Sequence, residues 1–322
     1  MYAKITGTGS CLPEYILSND ELSKRVETSD EWIQKRVGIA ERRIASAEED
    51  NTFLAATAAQ KALDAAGLSP EDIDLILVAT ATGDYVMPST AVRVQHALKM
   101  EKTAMAFDIS AACSGFIYGL DIAKSYIENK VHQHILVIGC ERMSRLMNWE
   151  DRSTCVLFGD GAGAVVLSAS SAPGIIGSCC HASGKYTDLL CVKNNLPKEA
   201  FSKQALQTSL NMEGNKVFRY AVEMLGAVVE EILEQHQLTK SDIDWLIPHQ
   251  ANERIIAATA KRLGVGMDQV ILTLKTHGNT SSASVPLALD VAMRDGRIKP
   301  GQKAILEAFG SGFVWGAILV QF

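Results

Sequence analysis

The chain has 322 residues, 47% of them hydrophobic, and a formal net charge of -6 at pH 7. This composition supports a sizeable core, and the acidic balance argues against a general nucleic-acid binder. The chain starts without the apolar run of a signal peptide, and no stretch approaches the roughly 18 consecutive apolar residues of a membrane helix, so we expect a cytoplasmic protein without a membrane partner.

Helical patterns alternate along the chain with short β-rich runs, which in order are ILVA, AMAFDI, HILVIG, WLIP, VILTL and AILEAF. This alternation predicts an α/β architecture with mostly parallel strands. Each half ends in two consecutive apolar runs, CVLF and AVVLSA in the first and AILEAF and GAILVQF in the second, which are expected to pair as antiparallel edge strands. The more polar stretch 181–210 is expected to form loops and edge structure that carry substrate contacts.

Three segments of the first half are echoed in the same order in the second half. Residues 68–80 resemble 238–250, residues 114–123 resemble 283–292, and residues 158–167 resemble 309–320. The third offset is smaller, which predicts extra residues within 141–157. Chance similarity between Gly-rich strand ends is the alternative, but three ordered echoes favour an internal duplication. We therefore predict two domains, 1–172 and 173–322.

The seven cysteines have irregular spacing and form no CxxC pair, so we expect neither a zinc site nor a redox dithiol. Cys113 follows the strand-like TAMAFDI and precedes an apolar-periodic helix. Free N–H groups and the helix dipole at such a turn lower a thiol pKa and bind an oxyanion. The alternative is a small core cysteine.

Two further loops carry candidate side chains at strand ends, where α/β enzymes place their chemistry. His249 lies in PHQAN, after the strand-like IDWLI, and Asn279 lies in HGNTSSAS. Each has a plain structural alternative, namely a buried histidine and a turn asparagine. In a duplicated fold the Asn279 loop is the counterpart of the Cys113 loop, so the two loops should meet across a pseudo-twofold axis.

The segments AACSGF, PHQANERII and HGNTSSAS, in that order, resemble the 3-oxoacyl-[acyl-carrier-protein] synthase III family. The resemblance extends over the chain through GTGSCLPE, TSDEWIQKRVGI, FGDGAGA and EAFGSGFVWG. It implies a thiolase-like fold, an internally duplicated five-layered αβαβα arrangement, usually as a homodimer. It also implies a catalytic triad of Cys113, His249 and Asn279. Chalcone-synthase-like enzymes share this triad.

The resemblance implies a condensing acyltransferase. Cys113 would take an acyl group from acyl-CoA, with acetyl-CoA expected, and condense it with malonyl-acyl carrier protein (ACP), initiating type II fatty-acid synthesis. His249 and Asn279 would each donate a hydrogen bond to the malonyl thioester oxygen. The backbone N–H groups of Cys113 and Ser311 would form the oxyanion hole, with Ser311 standing where the family usually has Gly. CoA is a substrate, and neither a metal nor another cofactor is implied.

The resemblance also implies three sets of contacts. Trp32 and Arg152 would flank the adenine and Arg36 would contact phosphate; a core-facing Trp32 is the alternative. The CoA contacts are Thr28, Trp32, Arg36, Arg152, Gly214, Phe218, Ala251 and Asn252. The ACP contacts are Arg219, Gln250, Ala251, Asn252, Glu253, Arg254, Lys261 and Arg262. The acyl-pocket residues are Met87, Phe158 and Phe309, with Met87 reaching across the dimer and making the pocket more permissive than one for acetyl alone.

Other functions fit the sequence less well. The glycines of GTGS and GDGAGA do not open a helix as a dinucleotide-binding GxGxxG does. A papain-like hydrolase would carry CGSCW, which is absent. A silent binding paralogue would not need an intact triad. The remaining alternative is a related condensing enzyme or thioesterase-like acyl transferase with a different acyl donor or acceptor.

Overall fold

The computed structural model of the protein describes residues 1–194, 196–197 and 208–322. The strands before residue 171 are β1 (Tyr2–Cys11), β2 (Tyr15–Ser18), β3 (Glu41–Ile44), β4 (Leu75–Ala79), β5 (Met105–Ile109), β6 (His134–Arg142) and β7 (Asp160–Ser170). The helices of this part are α1 (Asn19–Leu22), α2 (Asp30–Val37), α3 (Asn51–Ala66), α4 (Thr90–Ala97) and α5 (Gly115–Glu128).

The rest of the chain supplies a second, similar series of elements. Its strands are β8 (Ile175–Ala182), β9 (Leu190–Cys191), β10 (Asn211–Met212), β11 (Trp245–Pro248), β12 (Lys303–Gly310) and β13 (Val314–Gln321). Its helices are α6 (Gly214–Gln235), α7 (Glu253–Leu263), α8 (Leu274–His277) and α9 (Ser284–Arg294). Within the ranges that the structure describes, no helix combines the length and the apolar character needed to cross a membrane.

Two sheets repeat one strand order. The first runs β1-β7-β6-β4-β5 and the second runs β8-β13-β12-β11. In the first sheet β4, β5 and β6 are parallel to one another, and β7 is antiparallel to both of its neighbours. In the second sheet β11 and β12 are parallel, and β13 is antiparallel to both of its neighbours. The expected duplication is therefore confirmed at the level of strand order. The division into domains 1–172 and 173–322 stays a prediction.

Three local expectations have different outcomes. The runs AILEAF and GAILVQF pair as the antiparallel strands β12 and β13, whereas CVLF forms no strand. Neither β7, which contains AVVLSA, nor β13 is an edge strand, because β1 and β8 pair outside them. The run VILTL is not a strand: Val270 makes only an isolated bridge to Leu246, and α8 follows at once. The expected insertion is present, since residues 143–159 separate β6 from β7 whereas residues 311–313 separate β12 from β13.

The helices form three layers around the two sheets, which confirms the five-layered αβαβα expectation. The apolar faces of α5 and α9 pack between the sheets in one continuous core. Helices α3 and α4 cover the outer face of the first sheet. Helices α6 and α7 cover the outer face of the second sheet.

The glycines of GTGS serve packing between β1 and α3. Helix α3 begins at an Asp50 cap that accepts a hydrogen bond from Phe53 N at 2.7 Å. A Cβ at Gly7 would lie 2.2 Å from the Ala62 carbonyl oxygen, and one at Gly9 would lie 2.2 Å from that of Ala58. The glycines therefore let the alanine-rich face of α3 approach the strand.

Candidate active site

The three predicted triad residues line a single cavity of about 1800 Å³. Cys113 lies in a 3₁₀ turn, Ala112–Ser114, between β5 and α5. His249 directly follows β11, and Asn279 precedes the equivalent 3₁₀ turn, Ser281–Ala283, before α9. The two turns contact each other, as the duplication predicts. The structure therefore brings together three side chains that are far apart in sequence.

The Cys113 turn is pressed against the end of β12. A Cβ at Gly310 would lie 2.7 Å from the Cys113 backbone nitrogen, a distance that real side chains do not tolerate. Ala112, just before the nucleophile candidate, has a left-handed φ of 45°. Glycine at 310 is therefore required for the close approach that places the β12 end, and Ser311 after it, beside Cys113.

Burial raises the pKa of the Cys113 thiol to about 12. A hydrogen bond with Ser281 opposes the shift, and the nearby Glu141 carboxylate adds to it. The expectation of a lowered thiol pKa is therefore wrong for the free chain, because loss of water around the sulfur outweighs the backbone N–H groups of the turn. At neutral pH the thiol form therefore predominates over the thiolate.

This pKa gives a prediction about thiol alkylation. Below the pKa the thiolate fraction rises tenfold per pH unit, so iodoacetamide should label Cys113 slowly at neutral pH, with a rate rising about tenfold per unit between roughly pH 7 and 10. Peptide mass spectrometry reports the label at Cys113 alone, and Cys113→Ser gives the background. A rate that is already flat near neutral pH would mean a preformed thiolate.

His249 is held as a neutral donor. The residue is 5% exposed, and burial lowers the pKa of its ring to about 4. Its Nδ1 lies 2.6 Å from the hydroxyl of Ser284, the first residue of α9. When that hydroxyl donates to Nδ1, the neutral ring carries its hydrogen on Nε2. Ser284 was not singled out from the sequence, although it ends the HGNTSSAS motif.

Asn279 has its amide orientation set by its neighbours. Its Oδ1 accepts a hydrogen bond from Ser281 N at 2.9 Å. Its own backbone N donates to the Leu157 carbonyl at 2.9 Å, and its carbonyl accepts from Gly159 N at 3.0 Å. The side-chain Nδ2 therefore remains as the donor available to a molecule in the cavity.

A buried carboxylate ties the two halves together beneath these groups. Glu141, at the end of β6, accepts hydrogen bonds from Thr82 Oγ1 at 2.6 Å and Ala81 N at 3.0 Å. It also accepts from the hydroxyls of Ser281 and Ser282, each at 3.1 Å. Burial raises the pKa of Glu141. Sequence reasoning missed this residue because its partners come from distant loops.

Most of the predicted CoA contacts line the cavity. The guanidinium carbons of Arg36 and Arg152 each lie 5.4 Å from the Trp32 ring centroid. Trp32 is half-buried: it packs against the core beside the second sheet and also lines the cavity, so the CoA role and the core-facing alternative both stay open. Of the eight predicted CoA contacts, only Thr28 is not among the lining residues. Its Oγ1 is buried and has no hydrogen-bond partner within the described ranges.

Two of the three predicted acyl-pocket residues line the cavity, and the third does not. Phe158 and Phe309 are buried and line the cavity. Met87 does not line it and is 79% exposed, although its neighbour Val86 does. Its reach across a dimer stays a prediction. The apolar lining residues that the sequence reasoning missed include Met143, Leu190, Leu210 and Met212. Two of these fall in the stretch 181–210, of which residues 195 and 198–207 lie outside the described ranges.

The predicted ACP contacts need one correction. Gln250 is fully buried, and its side chain bonds the backbone of Pro248, Ile271 and Thr273. It therefore braces the loop and is not available to a protein partner. Arg262 is committed to Glu230 at 2.7 Å. Arg219, Glu253, Arg254 and Lys261 are exposed, and Ala251 and Asn252 are half-buried.

Comparison with known proteins gives consistent matches. Residues 107–184 match the model described as 3-oxoacyl-[acyl-carrier-protein (ACP)] synthase III, and residues 233–322 match that of its C-terminal region. A beta-ketoacyl-[acyl-carrier-protein] synthase III from Coxiella burnetii is 52% identical over 321 residues, covering 99% of each chain. One from Neisseria meningitidis is 52% identical and covers 100% of this chain and 99% of its own.

Solved structures agree with the sequence matches. The crystal structure of 3-oxoacyl-[acyl-carrier-protein] synthase III from Aquifex aeolicus has a TM-score of 0.92 and 45% identity, covering 99% of this chain and 100% of its own. The priming β-ketosynthase of the R1128 polyketide pathway has a TM-score of 0.94 and 37% identity, covering 99% and 96%.

Proposed function

The chain belongs to the 3-oxoacyl-[acyl-carrier-protein] synthase III family, and we propose that it performs the family's initiating condensation through Cys113, His249 and Asn279. It is an acyltransferase of fatty-acid synthesis. The observation that carries the residue assignment is the meeting of these three side chains in one cavity. Acyl-CoA is the proposed donor and malonyl-ACP the proposed acceptor.

In the first half-reaction Cys113 sulfur attacks the thioester carbonyl of acyl-CoA. A carbon–sulfur bond forms to Cys113, the bond to the CoA sulfur breaks, and the thiol proton ends on free CoA. The developing oxyanion would be held by the backbone N–H groups of Cys113 and Ser311; the close approach of Gly310, the residue before Ser311, to the Cys113 backbone nitrogen supports this assignment. Covalent storage splits a difficult transfer into two easier steps.

In the second half-reaction the malonyl carboxylate leaves as carbon dioxide. His249 Nε2–H and Asn279 Nδ2–H donate to the thioester oxygen on which the enolate charge develops. The enolate carbon attacks the acyl carbonyl, the bond to Cys113 breaks, and the sulfur takes up one proton. The reaction balances without a metal or a redox cofactor, and none is proposed.

The substrate contacts follow the same cavity. Trp32, with Arg36 and Arg152 near its ring, suits stacking on adenine with phosphate contact from the guanidinium groups. Acidic ACP would dock on the exposed cations Arg254 and Lys261 of α7, with Arg219 on α6. Arg262 takes part less directly because Glu230 neutralises it.

A homodimer and a cytoplasmic location complete the proposal. In the part of the chain that the structure describes, β5 ends the first sheet, and the nearby Tyr85, Val86 and Met87 are exposed. A second copy covering this surface would place Met87 where it meets the partner's acyl pocket. All seven cysteines are free, as suits a reducing compartment.

One assay separates a condensing enzyme from a thioesterase. With acetyl-CoA alone, one CoA per chain should be released in a single burst. Adding malonyl-ACP should restart CoA release and give 3-oxobutyryl-ACP and carbon dioxide in equal amounts. Continuous CoA release without malonyl-ACP would contradict the proposal and support hydrolysis.

A further inference from the structure

Ser311 makes a contact that a glycine at this position cannot make. Its hydroxyl donates a hydrogen bond to the backbone carbonyl of Leu190 in β9. Ser311 belongs to the short connection between β12 and β13, and both Ser311 and Leu190 line the cavity. The side chain therefore joins the proposed oxyanion loop to a wall of the acyl pocket.

Leu190 lines the cavity, so an acyl group in the pocket would contact it. It packs against an apolar cluster formed by Met143, Met147, Phe158 and Leu210. It also packs against a second cluster around Phe309 and Phe313. Its strand is paired with β10, in which Met212 lies opposite Leu190. Methionine side chains adapt their shape readily, so this wall yields to a longer ligand unless its backbone is held.

The loop that carries Ser311 is fixed on its other sides. Phe313 and Ser183 exchange two backbone hydrogen bonds, each of 2.8 Å. The Phe313 ring stacks on Tyr186 with centroids 5.1 Å apart. Gly310, just before Ser311, abuts the Cys113 turn. A displacement of Leu190 must therefore either break the Ser311 bond or disturb the loop beside Cys113.

We propose that Ser311 is a specificity-determining positioning residue, whose hydroxyl holds Leu190 and so restricts the acyl pocket to short acyl groups. The inference rests on the proposed function, because it concerns the acyl group carried by Cys113. A long acyl chain must push the Leu190 wall outward, and the Ser311 bond opposes that movement. Acetyl leaves the wall in place and retains the bond.

The first test compares Ser311→Ala with Ser311→Thr. We expect Ser311→Ala to raise the ratio of kcat/KM for octanoyl-CoA to that for acetyl-CoA by about fivefold, the factor that one ordinary hydrogen bond supplies. Ser311→Thr keeps the hydroxyl and should keep the wild-type ratio. An unchanged ratio in Ser311→Ala overturns the proposal, and so does an equal loss for every acyl-CoA, which would indicate an effect on the oxyanion hole alone.

The second test needs no catalysis. Cys191 lies next to Leu190 in β9 and lines the cavity. In a Cys113→Ala background, adding Ser311→Ala should speed maleimide labelling of Cys191 several-fold, as measured by peptide mass spectrometry, because β9 is released. An unchanged rate contradicts the tether. The labelling rate can be measured even if the wild-type protein makes no 3-oxoacyl product. In that case the proposed function fails, but the labelling rate still tests the contact between Ser311 and Leu190.

Discussion

Replacing Cys113 with alanine is expected to lower condensation of acetyl-CoA with malonyl-ACP by roughly 10⁴-fold or more, because it removes the proposed carrier of the acyl group. The sulfur lies where the cavity meets the β12 end, and an alanine fits the same space. The fold should survive, so the loss should appear in kcat with an unchanged melting temperature. Steady-state formation of 3-oxobutyryl-ACP measures it.

Cys180→Ala is the matched control for this variant. Cys180 is a half-buried, free cysteine in β8 and does not line the cavity. Its replacement should leave turnover close to wild type. Comparable losses in the two variants, or substantial activity in Cys113→Ala, would show that Cys113 is not the acyl carrier.

Replacing His249 or Asn279 with alanine is expected to lower malonyl-ACP decarboxylation by roughly 10²- to 10³-fold, since each removes one donor to the developing enolate oxygen. Acylation of Cys113 by acetyl-CoA should remain, because the proposed oxyanion hole of that step uses backbone N–H groups. Release of labelled carbon dioxide reports the first step, and intact-protein mass spectrometry reports the second.

The control for these variants is His96→Ala, an exposed histidine of α4. It should leave both steps unchanged. If His249→Ala or Asn279→Ala decarboxylates at the wild-type rate, the donor role assigned to that residue is wrong. If either variant also loses acylation, it is wrong to assign the side-chain donors to decarboxylation alone and the backbone donors to acylation.

The sequence predicts the fold and the identity of the central residues because both produce patterns within short stretches of sequence. Strand-end loops are short and polar, so Cys113, His249 and Asn279 stand out at the ends of apolar runs. The internal echo adds the expectation that two of these loops meet. The structure confirms this expectation, since the turns Ala112–Ser114 and Ser281–Ala283 contact each other.

The side chains that hydrogen-bond to these residues and to the loops around them produce no such local sequence pattern. Glu141 meets Ser281 and Ser282 only after the two halves pack together, and Ser284 reaches His249 from a different element. The thiol pKa was predicted in the wrong direction because burial depends on the whole tertiary structure. His249 and Ala251, the chain neighbours of Gln250, both line the cavity. The side chain of Gln250 instead turns inward and bonds the backbone of Pro248 and Thr273.

The most direct measurement is proteolytic mapping of the acyl group after the wild-type protein has been incubated with acetyl-CoA. Six further cysteines provide internal competitors within the same chain. We predict one acetyl group per chain, found on the peptide that contains Cys113 and discharged when malonyl-ACP is added. An acetyl group on another residue, or one that persists in the presence of malonyl-ACP, would contradict the account.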